Sequence, residues 1–323
     1  MKKKIISITT GDLDGVGLEV TIKALHKLSK SNTIFLIFQG RNINKELWKP
    51  LPKKITLSTT SLDVALNEAK AKKSQYQYIE ILSSDSPANW VKESAQLCLD
   101  KVINGMTTGP VSKKTFIDAN LDSVGHTPLL SKICSTSKVF MGFLGHSFNV
   151  ILLSGHIPIN QIESSLNTQL LTSGFQVILK WREECLPKQF IKLPLGVLGL
   201  NPHNGENGLI GDFEAKYLND LIQSQKVLKG PLVPDVAFFK ENWNKYSFFI
   251  ALYHDQGLIP FKMIHGRTGG CHVSVGLPIV RTSVDHGTAK DIFGKNIAKP
   301  ESMVAALKWC ETIISRKDAF HGL

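Results

Sequence analysis

The chain has 323 residues, 42% of them apolar and 8% aromatic, and a net charge of +11 from 38 Lys+Arg against 27 Asp+Glu. That length exceeds one ordinary hydrophobic core, so two domains of a globular protein are expected. A basic balance permits nucleic acid, a membrane surface or an acidic small molecule; the lysines are dispersed with no aromatic-interleaved basic stripe, which argues against nucleic acid, and no apolar run reaches the about 18 residues of a membrane span.

Met1 to Ile8 begins like a signal peptide, basic and then apolar, but Thr9, Thr10, Gly11 and Asp12 end the apolar part too soon. The cysteines, Cys98, Cys134, Cys185, Cys271 and Cys310, are odd in number and contain no CxxC pair. They read as reduced thiols of a cytoplasmic protein.

Ile5 to Thr9 reads as a first strand. Gly11, Gly15 and Gly17 then permit a tight turn into a helix on which Val16, Val20, Ala24 and Leu25 recur at helical spacing. The spacing is not G-x-G-x-x-G, so no dinucleotide fingerprint is read here. Thr33 to Phe38 is a second strand, Leu62 to Lys72 an amphipathic helix, Tyr78 to Leu82 a third strand and Asn89 to Val102 a longer helix. This alternation predicts an α/β fold with a largely parallel sheet. Met106 to Lys113 reads as a strand end whose Gly109, Ser112 and Lys113 could hold an anion at a helix start, without the spacing of a P-loop. His126 and Thr127 follow, ahead of a helical run from Leu129 to Cys134.

Three apolar runs then end in histidine. Phe148 to Leu153 leads to His156, Leu195 to Leu200 to His203, and Tyr246 to Leu252 to His254. Three imidazoles past equivalent strand ends would face one crevice and leave a fourth coordination position open, the pattern of a catalytic metal. Nitrogen ligands favour Zn, Co, Mn or Ni over Mg, though a neighbouring Asp admits a harder ion. Gly257 and Pro260 suggest that the stretch from Tyr253 to Lys262 is a turn, and Gly230 to Asp235 reads as another. Asp235 could support the metal ligands or cap a loop. Arg281 with Lys262 offers a clamp for phosphate or carboxylate. A last helix is expected from Pro300 to about Ser315. No linker or repeat separates the domains, so they are expected to interleave.

Taken together, Gly11-Asp12…Gly15-Val16-Gly17-x-Glu19, Thr108-Gly109-Pro110-Val111-Ser112-Lys113, Gly125-His126-Thr127, Asn201-Pro202-His203-x-Gly205-Glu206, Tyr253-His254-Asp255-Gln256-Gly257-Leu258-x-Pro260-x-Lys262 and Gly276-Leu277-Pro278…Arg281-Thr282-Ser283-x-Asp285-His286-Gly287-Thr288-Ala289 resemble the 4-hydroxythreonine-4-phosphate dehydrogenase family of pyridoxal phosphate biosynthesis. They occur in the family's order over nearly the whole chain. The run from His286 to Lys299 also looks like the adenosine loop of isocitrate and isopropylmalate dehydrogenases.

The resemblance implies two interleaved α/β/α domains, 1–125 plus 275–323 carrying much of the cofactor site and 126–274 serving metal, substrate and dimerisation. It implies a homodimer with the active site in the interdomain cleft at the subunit interface. His156, His203 and His254 would bind one divalent metal (Zn, Co, Mn or Mg), His254 reaching a site built mainly by the other subunit. Substrate would fall to His126, Thr127, Lys262, His272 and Arg281, with Asp235 and Asp255 nearby; Asp255, Asp235 or a metal-bound water could serve as the base. NAD or NADP would lie against His286, Gly287, Thr288, Ala289, Asp291 and Ile292. The implied reaction oxidises 4-phosphohydroxy-L-threonine to a 3-oxo acid that decarboxylates to 3-amino-2-oxopropyl phosphate. A sister enzyme acting on threonate or erythronate 4-phosphate is the alternative, with a metal-dependent phosphohydrolase or acyltransferase more remote. The chain departs from the family's pattern at Leu13, Asp14, Leu18 and Pro128, and has His272 where the family has Asn. These differences gather around the substrate rather than the metal.

Overall fold

The computed structural model describes residues 3–28, 32–41, 50–51, 54–57, 62–71, 77–266 and 269–322. Its strands, in chain order, are β1 (Lys4–Thr9), β2 (Thr33–Gly40), β3 (Lys54–Leu57), β4 (Tyr78–Ser83), β5 (Gly105–Thr108), β6 (Phe140–Leu144), β7 (Val150–Leu152), β8 (Leu195–Leu198), β9 (Leu228–Leu232), β10 (Phe248–Ala251), β11 (Cys271–Val275) and β12 (Arg281–Val284). The chain forms two compact units, one of Met1–Ser137 with Leu277–Ser315 and one of Lys138–Gly276 with Arg316–Leu323. His126 and Thr127 therefore fall in the first unit.

In the first unit the strand order is β3-β4-β2-β1-β5-β12, and every neighbouring pair is parallel. A parallel sheet is covered on both faces, which is why β2, Thr-Ile-Phe-Leu-Ile-Phe-Gln-Gly, is apolar without alternation and buried throughout. Each fully buried Ile, Leu or Phe here contributes about 1.5–3 kcal/mol by leaving water. The helix Pro87–Leu99 buries Trp90, Val91, Ala95 and Cys98 and starts at Ser86, whose side chain accepts from Ala88 N. The helix of the second predicted segment covers Leu62–Lys70; Lys72 lies outside the described residues.

The glycines after β1 are there for close approach. A Cβ on Gly11 would stand 2.2 Å from Pro110 O, and one on Gly17 would stand 1.7 Å from Thr10 O. The loops after β1 and β5 thus touch backbone to backbone, joined by Asp12 N donating to Pro110 O.

In the second unit the order is β11-β6-β7-β10-β8-β9. β6 pairs antiparallel with β11 and β7, while β7, β10, β8 and β9 run parallel. Phe143, Phe148, Val150, Leu152, Phe249 and Ala251 form the centre of its core. The segment read as a turn is a helix, His254–His265, with Pro260 inside it. It packs Leu258 and Phe261 into that core, and Gly257 permits the contact, because a Cβ there would meet Val150 Cγ1 at 2.5 Å. Gly230 and Pro231, also read as a turn, lie in β9. A long helix, Thr168–Cys185, capped by Asn167 accepting from Leu170 N, was not foreseen. The last helix runs Glu301–His321.

Candidate functional site

The second unit supplies the histidines. β7, β10 and β8 are parallel neighbours, and His156, His254 and His203 each follow the C-terminal end of one of them. Such strand ends are where open α/β sheets hold ligands. The His156 and His254 rings lie 5.0 Å apart, centroid to centroid. Gln256 anchors the helix that carries His254, since its Oε1 accepts from Leu252 N at 2.7 Å and its Nε2 donates to Gly199 O at 2.6 Å.

His203 stands on a left-handed turn. His203, Asn204, Gly205, Glu206 and Asn207 all have φ between 45° and 77°. For residues other than glycine this conformation costs about 1–2 kcal/mol each, and it persists only where the surroundings impose it. Here Glu214 imposes it from below. Its buried carboxylate accepts from Leu200 N and Asn201 N at 2.7 Å and from Asn201 Nδ2 at 3.0 Å. Asn204 Nδ2 adds a bond to Pro231 O, and a Cβ on Gly205 would meet Gly211 O at 2.1 Å. A cavity of about 620 Å³ beside the turn is lined by His203, Glu206, Glu214 and Pro231.

His203 and His254 each carry a carboxylate on one ring nitrogen. His203 Nδ1 lies 2.7 Å from Glu206 Oε1, and His254 Nδ1 lies 2.6 Å from Asp255 Oδ1. The hydrogen bond to Glu206 raises the His203 pKa above its ordinary value; the charge of Glu206 and, more weakly, that of Asp235 act in the same direction against partial desolvation. Asp235 is in the first turn of the short helix Pro234–Ala237. Each of the two candidate bases therefore sits in the surroundings of a histidine. Among the described residues of the single chain, no three His, Cys, Asp or Glu side chains converge as a metal-ligand set. One chain brings His156 and His254 together and leaves His203 on its own turn. Lys262 shares the His254 helix, and His272, on β11, meets Phe143 edge-on with centroids 5.2 Å apart.

The first unit holds the other predicted residues. Arg281 is buried at the start of β12 and donates to Thr108 Oγ1 from Nη2 at 2.6 Å and from Nε at 3.2 Å. His126 opens the helix His126–Ile133, its ring set edge-on against Phe116. Burial and the nearby Arg281 charge push its pKa well below the ordinary value, so it is neutral, and its buried Nε2 has no partner among the described residues. Thr127 is the next residue of that helix. His126 and Arg281, far apart in sequence, are thus brought together.

The expected anion-holding turn at Ser112 is already filled. Buried Asp12 accepts from Ser112 N at 3.2 Å and from Thr115 Oγ1 at 2.7 Å, so the anion at this helix start is the chain's own carboxylate. The predicted cofactor run follows β12. His286 Nδ1 donates to Gly287 O at 2.8 Å, Val16 N donates to Thr288 O at 3.0 Å, and Ala289 takes a left-handed φ of 46° before the turn holding Asp291 and Ile292. A Cβ on Gly287 would meet nothing within 4 Å among the described residues. Lys290 joins this loop to Asp14, at 2.8 Å, and Asp12, at 3.4 Å. Sequence reading gave no role to Glu206 or Lys290. The signal for Glu206 was its place three residues after a histidine, which has meaning only once the turn is known.

Fold and site together define a two-unit α/β protein with imidazoles past the ends of parallel strands in one unit and a buried arginine beside a neutral histidine in the other. The family model described as pyridoxal phosphate biosynthetic protein PdxA matches residues 20–310. The chain belongs to that family. It is 34% identical over 317 residues to a protein of Sulfurimonas denitrificans named 4-hydroxythreonine-4-phosphate dehydrogenase, covering 95% of this chain and 97% of that one. It is 30% identical over 325 residues to one of Pectobacterium atrosepticum named D-threonate 4-phosphate dehydrogenase, covering 94% and 98%. The crystal structure of 4-hydroxythreonine-4-phosphate dehydrogenase from Klebsiella pneumoniae shares the fold with a TM-score of 0.79, at 24% identity, over 98% of this chain and 99% of that one.

Proposed function

We propose that this protein is an NAD- or NADP-linked, metal-dependent dehydrogenase that oxidises 4-phosphohydroxy-L-threonine to the 3-oxo acid, which then loses carbon dioxide, in pyridoxal phosphate synthesis. The observation that carries this reading is the placing of His156, His254 and His203 past the ends of three adjacent parallel strands, in a chain of this family. Neutral imidazoles with a carboxylate on Nδ1 are the donor chemistry of Zn, Co or Mn sites. A divalent metal held by these three residues would supply Lewis-acid polarisation of the substrate alcohol. The nicotinamide would accept the hydride.

The chain's own groups do the rest. Arg281, Lys262 and His272 bind the phosphate. His126, held neutral, offers Nε2 to a substrate hydroxyl, and Thr127 adds its own hydroxyl. Asp255 already accepts a bond from His254, so Asp235 is the freer carboxylate to take the alcohol proton. The loop from His286 to Ile292 binds the dinucleotide. A homodimer would cover Leu209, Ile259 and Met263, large apolar residues that one chain leaves exposed, and would complete the histidine set from two chains. No helix of the described residues is long and apolar enough to cross a membrane, and the five cysteines are free, which suits a cytoplasmic enzyme.

A second reading is favoured by a specific pair of facts. Relatives of comparable identity carry the D-threonate 4-phosphate dehydrogenase name, and this chain has His272 on β11 where the motif resemblance implies an Asn. The deciding assay follows reduced cofactor by absorbance with 4-phosphohydroxy-L-threonine, D-threonate 4-phosphate and D-erythronate 4-phosphate, each with NAD and NADP. Preference for the amino acid supports the first reading and preference for a sugar acid the second. Phosphate release without cofactor reduction would overturn both.

A further inference from the structure

We infer that Glu206 and Asp255 are positioning residues, each holding the Nδ1 proton of its neighbouring histidine so that Nε2 of His203 and of His254 faces outward as a free lone pair. The inference rests on the metal-site reading and extends it to two side chains that touch neither metal nor substrate in it.

An ionised carboxylate has only acceptors, so the hydrogen at 2.6–2.7 Å between each pair belongs to the imidazole. A neutral imidazole protonated on Nδ1 presents its lone pair on Nε2, the tautomer a metal ligand needs. Free imidazole prefers the opposite arrangement, so the carboxylates are what select this one. The same device occurs twice by different local means. Asp255 is adjacent to its histidine in the first turn of a helix, where a carboxylate is also favoured by the helix dipole. Glu206 reaches His203 from three residues on, because a tight turn of about three residues per turn stacks positions i and i+3 on one face. The left-handed backbone of His203, Asn204, Glu206 and Asn207 is strained, and the contact it produces is this one. Stability does not explain the pairs. The side chains of His203 and Glu206 are 60% and 45% exposed, and those of His254 and Asp255 33% and 70%, so as ion pairs they do little for the fold.

The test compares the full-length protein with Glu206→Ala, Glu206→Gln, Asp255→Ala and Asp255→Asn. Two quantities are read: the imidazole tautomers of the metal-free protein, by two-dimensional NMR of nitrogen-15-labelled histidine, and the Zn dissociation constant, by chelator competition. Each Ala variant should move its own histidine to the Nε2-protonated form and weaken Zn binding about 10–100-fold. The Gln and Asn variants keep an oxygen acceptor and should recover most of the affinity, and thermal midpoints should barely change. Ala variants with unchanged tautomers, or with unchanged Zn affinity, overturn the inference. His203→Ala and His254→Ala are measured alongside. If these bind Zn as tightly as the parent, the metal site itself is wrong, an outcome distinct from failure of the carboxylates alone.

Discussion

Lys23 and Glu19, one turn apart on the first helix, form a 2.7 Å ion pair that also grips the segment after the proposed cofactor loop. Lys23 Nζ donates to Asn296 O and Ala298 O at 3.0 and 3.1 Å, while Ala298 N donates to Glu19 Oε1 at 2.8 Å. Glu19 is buried, so removing Lys23 strands a desolvated carboxylate. Lys23→Met should lower stability by roughly 1.5–3 kcal/mol, the worth of a hydrogen bond to a charged group, read from the urea midpoint. It should also raise KM for the dinucleotide several-fold while leaving the Zn dissociation constant unchanged. An unchanged cofactor KM would show that the clamp serves the fold alone.

Arg281 is a buried cation of the first unit, and the hydroxyl of Thr108 aims it. Arg281→Ala should raise KM for the phosphorylated substrate about 10–150-fold, the equivalent of losing 1.5–3 kcal/mol of charge-assisted binding. Cofactor affinity, titrated separately by fluorescence of the reduced dinucleotide, should stay the same. A fall in that affinity instead would move Arg281 into the cofactor site.

His126 makes stability depend on pH in a defined direction. Its folded pKa lies well below the ordinary value, through burial and then the Arg281 charge. The unfolded chain therefore takes up this proton first as pH falls. Above about pH 6.5 the group has no effect; below it, stability drops by at most about 1.4 kcal/mol per pH unit until the folded group also protonates. Urea midpoints from pH 7 to 5 should fall less steeply in His126→Asn than in the parent. Parallel curves would mean that His126 titrates alike in both states.

The cysteines should be inert in the native protein. Burial raises the thiol pKa of Cys185 and Cys310 to about 12 and lifts those of Cys98 and Cys134 as well. A thiolate is the reactive form, so iodoacetamide at pH 8 should modify half-buried Cys134 slowly and the buried four only after unfolding. Peptide mass spectrometry reads the pattern. Rapid labelling of Cys310 or Cys185 would contradict it.

Much of the fold was legible along the chain. Short β-branched and apolar runs such as Ile5 to Thr9 and Thr33 to Phe38 read as strands buried on both faces, and their alternation with helices points to a parallel α/β sheet. The histidines after three such runs were equally visible, because parallel strands send their C-terminal ends to one edge. Less legible was the stretch from Tyr253 to Lys262. Gly257 and Pro260 look like a turn by local propensity, but Leu258 and Phe261 gain more by packing on Phe143 and Phe148, and Gly257 is small enough to let the helix reach β7.

By itself, then, the sequence determined the α/β class and the imidazoles at the strand ends, which follow from local periodicity and residue type, while the family was legible only as a resemblance of its motifs in order. Only the tertiary structure decided that Asp12 fills the Ser112 turn, that burial and then the Arg281 charge keep His126 neutral, and that His156 and His254 meet while His203 stands on a left-handed turn beside Glu206. Those relations depend on which strands lie side by side and on backbone held against its preference by Glu214, and no pattern along the chain encodes either.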